Sequence, residues 1–192
     1  MNSNASIAPI ERLETILDHA DYMVRREPIA AGVNMEQLYV ALLNDAQNRI
    51  YIMELMFLND FSVATNEDDT SDDLSLLQFY CAFPFTVSTD AITSVERVLN
   101  FVNQSYPMGH FNVIEQTGTI CFKYVYATEN ANDVSEKVVL EIVSLAELAL
   151  SRLGPLCERV SLMDMTAAEV IQDIADRGLF IEPTEEAEPA TS

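Results

Sequence analysis

The chain lacks tryptophan and has few residues of the kinds that build common catalytic and cofactor sites. Its 192 residues include only five glycines and three cysteines. The glycines form no Walker-type loop and no nucleophile elbow, which argues against a P-loop nucleotide site and against a serine hydrolase. Cys81, Cys121 and Cys157 are an odd number without CxxC spacing, so neither a disulfide framework nor a zinc site is indicated. We therefore expect no enzyme, no cofactor and no metal.

Basic residues are also scarce. Ten of them stand against 31 acidic residues, which gives a formal net charge of -21. A field of this sign repels nucleic-acid phosphates and anionic lipid surfaces, so we expect neither as a partner. Residues 1–10 lack the pattern of an export signal, and no apolar run is long enough to predict a membrane span. With no disulfide framework indicated, the expected location is the cytoplasm.

The apolar residues, 49 % of the chain, follow patterns typical of an α+β domain. Ile10, Leu13, Leu17, Ala20 and Val24 recur every three or four positions, which predicts an amphipathic helix reaching Val24. Apolar runs at 38–43 and 50–58 flank a turn-forming cluster and favour a hairpin, although both runs also suit helices.

Further segments extend this pattern toward the C-terminus. They are a solvated acidic loop at 65–73, a strand at 74–85 ending near Pro84, a helix from about 88 to 105, and strands at 111–114 and 119–127 around a Thr117-Gly118 turn. The order α-β-β-β-α-β-β-α predicts an antiparallel five-stranded sheet with helices on one face. We expect one domain over 1–180, with a helical extension at 155–180 and a flexible acidic tail at 181–192.

The helix predicted at 133–153 has an unusually wide apolar arc made of two adjacent stripes. One stripe comprises Val138, Ile142, Leu145 and Ala149, and the other comprises Val139, Val143, Ala146, Leu150 and Leu153. A single sheet contact needs only one stripe, so the second must be buried against something else. It is covered either by the chain's own C-terminal extension or by a second copy of the chain, and its five residues are therefore the candidate interface.

Two possible chemical sites fail on spacing. The acidic run at 67–73 does not match a calcium-binding loop, because the positions for the required glycine and glutamate fall on Leu74 and Tyr80. A Thr117-Gly118 turn would set Val125 opposite His110 and Ile114 opposite Cys121. Cys121 and His110 would then lie four residue pairs apart, too far for a nucleophile and its base.

A family resemblance enters through one stretch of sequence. The stretch is Phe101-Val102-Asn103, then Tyr106-Pro107-Met108-Gly109-His110-Phe111, then Thr117-Gly118-Thr119-Ile120-Cys121-Phe122-Lys123-Tyr124. It resembles the central part of the YbjN-type family, putative sensory-transduction regulators, in which an asparagine-bearing helix leads through a glycine-containing bend into a hairpin. The order of elements over about 7–153 is similar to class I type III secretion chaperones, and the extra residues 154–192 depart from them.

This resemblance implies a small acidic protein, often a homodimer, that holds an extended or helical segment of another protein. It supplies no catalytic residues to carry over. We therefore expect a protein-binding module, chaperone-like or regulatory, that uses apolar sheet and helix surfaces within an acidic rim. The alternative is a small-molecule-binding regulatory domain with a pocket between the sheet and the helices.

Overall fold

Helices and strands occur in both halves of the chain, in an α+β order. The computed structural model describes residues 8–27, 36–58 and 74–179. The elements in chain order are α1 Pro9–His19, β1 Met23–Glu27, β2 Gln37–Asn44, β3 Ile50–Phe57, β4 Ser75–Thr86, α2 Ile92–Ser105, β5 His110–Ile114, β6 Thr119–Thr128, α3 Glu136–Ser161 and α4 Ala167–Asp176. The predicted loop at 65–73 and tail at 181–192 lie outside the described residues.

The strands form one antiparallel sheet of six strands in the order β1-β2-β3-β4-β6-β5. The prediction of five strands is wrong because β1 was assigned to the first helix. Val24 continues the helical spacing of α1, but the helix ends at His19 and Asp21 takes a positive φ of 62°. The N–H of Tyr22 then bonds to the carbonyl of Leu17, and the chain leaves the helix as a strand.

The β2–β3 hairpin confirms the strand interpretation of residues 36–58 over the helical one. Asp45 closes its turn, since one carboxylate oxygen accepts the backbone N–H groups of Gln47 and Arg49, each at 2.9 Å. Strand β4 continues past Pro84 to Thr86, with a shift in pairing to β6 between Ala82 and Thr86.

The β5–β6 hairpin is confirmed, but its predicted register is wrong by two residues. Ile114 pairs with Thr119, and His110 pairs with Lys123. The loop therefore has four residues instead of two, with Gly118 at its end in the left-handed region at φ 65°. A side chain at Gly118 would also overlap the carbonyl oxygen of Val87, so both the backbone conformation and the available space require glycine there.

The helices cover one face of the sheet. Helices α1 and α3 pack on the β1–β4 half, α2 packs beside β5, and α4 packs against α2 and α3. Alternate residues of the strands point into this layer, as the burial of Leu38, Val40, Met53, Leu55 and Phe79 shows. The buried apolar residues from Ile10 to Ile174 form one continuous cluster.

Helix α3 is longer than predicted and continues through Gly154-Pro155 to Ser161. Pro155 removes one helical hydrogen bond, the one that the carbonyl of Ser151 would accept. Ser151 is exposed, so water can hydrate that carbonyl. The added turns bury Leu156, Cys157 and Val160, and this apolar burial offsets the missing bond.

Candidate protein-binding face

The predicted interface on α3 lies in the core of this same chain. Val139, Val143, Ala146, Leu150 and Leu153 each have 0 % exposure. The surrounding cover comes from the sheet, α1, α2 and α4, and the buried residues of α4 are Ala167, Val170 and Ile174. The cover thus comes from the chain's own sheet and helices, with α4 of the C-terminal extension as one part of it, so these residues offer no free surface to a partner.

The sheet face opposite the helices, which we call the open face, presents two complete rows of side chains. One row is Met23, Ala41, Ile52, Ala82, Cys121 and Asn112, and the next is Arg25, Tyr39, Glu54, Tyr80, Lys123 and His110. Neighbours within a row lie on adjacent paired strands, about 5 Å apart.

The open face is more apolar than a solvated face requires. Antiparallel sheets usually carry polar side chains on the side that faces water. Here Met23 is 77 % exposed, Ile52 49 %, Ile50 48 % and Val125 37 %. Half of the eight exposed large apolar side chains in the described ranges therefore lie on this one face.

A shallow depression occupies the β1–β4 part of the open face. Its volume is about 810 Å³, and its lining includes Met23, Arg25, Tyr39, Ala41, Ile50, Ile52, Glu54, Tyr80 and Ala82. The small side chains of Ala41 and Ala82 flank Ile52 on neighbouring strands, while the rings of Tyr39 and Tyr80 flank Glu54. Small residues beside large ones produce a concave surface with an apolar floor.

Glu54 is the charged residue at the centre of this depression. Burial raises the pKa of its carboxyl group above the ordinary value. Its Oε1 accepts a hydrogen bond from the side chain of Gln37, whose own oxygen accepts the hydroxyl of Tyr39 at 2.9 Å. None of the ion pairs among residues 8–27, 36–58 and 74–179 includes Glu54.

The cations on the same face stand to either side of Glu54. Arg25 pairs with Glu27 and lies 5.8 Å from the ring centre of Tyr39. Lys123 stands on the other side, beyond Tyr80. Two strand spacings separate each cation from Glu54 along the row, about 10 Å, so the carboxylate has no counter-ion in contact.

The cysteines of the described region are buried thiols with raised pKa values. Burial raises the pKa of Cys81 to about 12 and raises that of Cys157 further. Burial also raises the pKa of Cys121, with hydrogen bonding to Tyr80 and the nearby Lys123 opposing it. A thiol that stays protonated at neutral pH is a poor nucleophile.

The side chain facing Cys121 is Asn112, and the thiol donates to its Oδ1 at 3.0 Å. With the corrected register, His110 is two residue pairs from Cys121 instead of four. The observed separation of Cys121 from His110 is therefore smaller than the predicted one, but Asn112, not His110, is the side chain in contact with Cys121. In the described ranges, no group of three or more His, Cys, Asp or Glu side chains is placed to hold a metal ion.

A second, smaller cavity lies among the helices. It has a volume of about 250 Å³, and its lining includes Tyr106, Met108, Leu145, Leu148, Ala149, Arg152 and Leu179. Its walls are mainly apolar, with Arg152 as the one charged lining residue. This cavity therefore does not lie at the predicted position between the sheet and the helices.

The sequence analysis expects an apolar sheet surface but names no residues on it, although a signal for the open face is present in β3. Residues 50–57 are apolar at nearly every position, with Ile50, Ile52 and Met56 in one phase and Tyr51, Met53 and Leu55 in the other. A strand that is apolar in both phases indicates cover on both sheet faces. The apolar arc of α3 is the stronger pattern in the sequence, and the candidate interface predicted from it is buried.

Comparisons with known proteins do not assign the chain to a family. No protein-family model matches the chain, and no curated protein matches it. Among the described residues, no helix is both long enough and apolar enough to cross a membrane.

Proposed function

We propose that the chain is a non-enzymatic protein-binding module, chaperone-like or regulatory, and that it receives a segment of another protein on the open face. The observation that carries the proposal is the exposure of Met23, Ile50 and Ile52 around one depression, on a sheet whose other face is largely covered by helices. Contiguous exposed apolar surface of this kind is typical of interaction sites.

The chain's charge and its family resemblance support the same proposal. A net charge of -21 favours partners with basic segments and disfavours nucleic acids. The resemblance of residues 101–124 to the YbjN-type family, and of the element order to secretion chaperones, implies a protein that holds segments of other proteins. An antiparallel sheet with one face that no described helix covers is a suitable platform for that role.

The proposal is tested by comparing two charge insertions at exposed apolar positions. Ile52→Asp places a carboxylate in the depression, whereas Leu162→Asp places one at the end of α3, where Leu162 is 65 % exposed. Immobilised wild type and both variants are incubated with native extract, and the retained proteins are quantified by mass spectrometry. We expect proteins that wild type and Leu162→Asp retain and Ile52→Asp loses; equal retention by all three would count against the open face.

A second copy of the chain is the other occupant to consider. The expectation of a homodimer depends on the α3 arc and on the family resemblance. Because the five interface residues of α3 are buried, the open face is an apolar surface that the described residues offer for self-association. Sedimentation of wild type and Ile52→Asp over a range of concentrations distinguishes the two occupants. A dimer that Ile52→Asp dissociates would assign the face to a second copy.

The alternative function, binding of a small molecule, is favoured by the cavity beside Tyr106 and Leu148. Its apolar walls and the charge of Arg152 suit a ligand with an apolar body and an anionic group. A thermal-shift screen with medium-chain carboxylates tests this, with Leu148→Trp as the variant that fills the cavity. A stabilisation of wild type that is absent from Leu148→Trp would support it.

A further inference from the structure

We propose that the open face selects segments that carry an arginine next to apolar residues, and that the arginine binds Glu54 between the rings of Tyr39 and Tyr80. This inference depends on the proposed function and names the chemistry of its partner. It is argued from the incomplete pairing of Glu54, from the rings around it and from the apolar surface beside it.

Glu54 is an acidic group that has no partner of opposite charge among the described residues. Gln37 donates to one of its oxygens, and among the described residues no donor contacts the other oxygen. The pKa of Glu54 is raised by burial, which is the cost of holding a carboxylate in a poorly hydrated place. A cation arriving from a partner would recover part of that cost, because a charge-assisted hydrogen bond is stronger away from water.

Neither neighbouring cation forms an ion pair with Glu54. Arg25 is engaged by Glu27 and by the ring of Tyr39, and Lys123 is on the far side of Tyr80. The other carboxylate that lines the depression, Glu27, forms an ion pair with Arg25. Of the two carboxylates that line the depression, Glu54 is therefore the one without an ion-pair partner among the described residues.

The tyrosines favour arginine over lysine. A guanidinium is planar, stacks on aromatic rings and forms two parallel hydrogen bonds to a carboxylate, whereas an ammonium ion does neither as well. Tyr39 and Tyr80 are the cross-strand neighbours of Glu54, with Cβ atoms about 5 Å away on each side. Arg25 beside Tyr39 shows that a ring on this face already accepts a guanidinium.

The apolar requirement comes from the neighbouring row. Ile52 precedes Glu54 by two positions on the same strand, which sets their side chains about 7 Å apart on the same face. Ala41 and Ala82 leave space on both sides of Ile52. A segment with an apolar side chain next to its arginine would fill this space while the guanidinium reaches Glu54.

Selection from a randomised phage-displayed peptide library tests the inference on the full chain. Wild type should enrich peptides with arginine beside apolar residues, Glu54→Gln should lose the enrichment of arginine, and Glu54→Lys should enrich aspartate or glutamate instead. A synthesised wild-type binder and its citrulline twin should differ in affinity by about 10- to 100-fold on wild type, and by far less on Glu54→Gln.

The outcomes separate this inference from the proposed function. Peptides that lack basic residues, or whose composition is unchanged by Glu54→Lys, would overturn the role of Glu54. If such peptides are nevertheless lost on Ile52→Asp, the open face remains a binding surface. If wild type selects nothing beyond what Ile52→Asp selects, both proposals fail.

Discussion

The two faces of the sheet contrast most clearly in two adjacent rows that cross the same six strands. On the covered face the row is Val24, Val40, Met53, Cys81, Phe122 and Phe111, and on the open face it is Arg25, Tyr39, Glu54, Tyr80, Lys123 and His110. The first row is apolar throughout and nearly all of it is buried. The second mixes aromatic rings with charges of both signs. Packing with the helices determines the first row, and under the proposed function access by a partner would account for the second.

The largest expected effect comes from truncating adjacent residues of β3 that point to opposite faces. Met53 has 0 % exposure, so Met53→Ala removes core volume and should lower the free energy of unfolding by about 2–5 kcal/mol. Ile52 is half exposed, so Ile52→Ala should cost about 1 kcal/mol or less. Urea titration measures both, and similar losses would mean that the open face is also structural.

The next effect tests how closely α3 packs on the covered face. A Cβ at Gly154 would overlap the hydroxyl of Tyr51, a side chain with 1 % exposure. Gly154→Ala should therefore destabilise the protein by about 1–3 kcal/mol, although alanine is the better helix former. In a Tyr51→Phe background the obstructing oxygen is gone, so the same change should become neutral or stabilising. A stabilising Gly154→Ala in wild type would contradict the contact.

The elements that sequence predicts well are those with local signals. The sequence Thr166-Ala167-Ala168-Glu169 has the spacing of a capping box, which predicts the start of a helix, and both reciprocal hydrogen bonds are present at the start of α4. The apolar spacing of Val95, Leu99 and Val102 likewise gives α2. In each case a few neighbouring residues determine the conformation, so no distant contact is needed to infer it.

The errors arise where a distant contact decides the structure. Val24 fits a helical spacing, but pairing with Val40 makes it part of β1. Gly154-Pro155 suggests a helix end, but burial of Leu156 and Cys157 carries α3 onward. The wide arc of α3 does predict a second contact, but periodicity cannot say that this contact is α4 and the other helices.

The edge of the sheet, where the covered and open faces meet, gives the third prediction. Asn103 on α2 donates to the carbonyl of Phe111 and accepts its N–H, both at 2.8 Å, as a neighbouring strand would. Asn103→Ala leaves both backbone groups of β5 without these partners and should cost about 1–3 kcal/mol. Asn100→Ala, an exposed position on the same helix, is the control and should change little. Faster amide exchange at Phe111 should accompany the loss.

Asn103 also blocks pairing of a further strand at this position. An edge strand with free N–H and C=O groups is a template for association with another chain. If Asn103→Ala unfolds at wild-type denaturant concentrations and leaves exchange at Phe111 unchanged, the two hydrogen bonds contribute nothing at this edge.

Two carboxylates give the smallest effect and contrast in the direction of their pKa shifts. Burial would raise the pKa of Asp45, but hydrogen bonds from Arg49 and from the backbone of Gln47 outweigh it and hold the pKa below 3.8. Arg49 also bonds Glu158 on α3 at 2.7 Å, so Asp45 belongs to a link between the β2–β3 turn and the covering helix. Glu54, on the open face, has its pKa raised above 4.5.

The opposite shifts predict opposite changes of stability with pH. Ionised Asp45 stabilises the fold at neutral pH, and this contribution is lost as pH falls below 3.8 toward its lowered folded pKa. Asp45→Asn should therefore cost about 1 kcal/mol near pH 7 and progressively less in acid.

Ionised Glu54 instead opposes folding above its raised pKa, so Glu54→Gln should be more stable than wild type near pH 7. That gain should vanish as pH falls to 4.5. Urea titrations of wild type, Asp45→Asn and Glu54→Gln between acid and neutral pH measure these differences in the free energy of unfolding. If the free energy of both variants follows that of wild type with pH, the surroundings of Asp45 and Glu54 affect these carboxylates no more than water does.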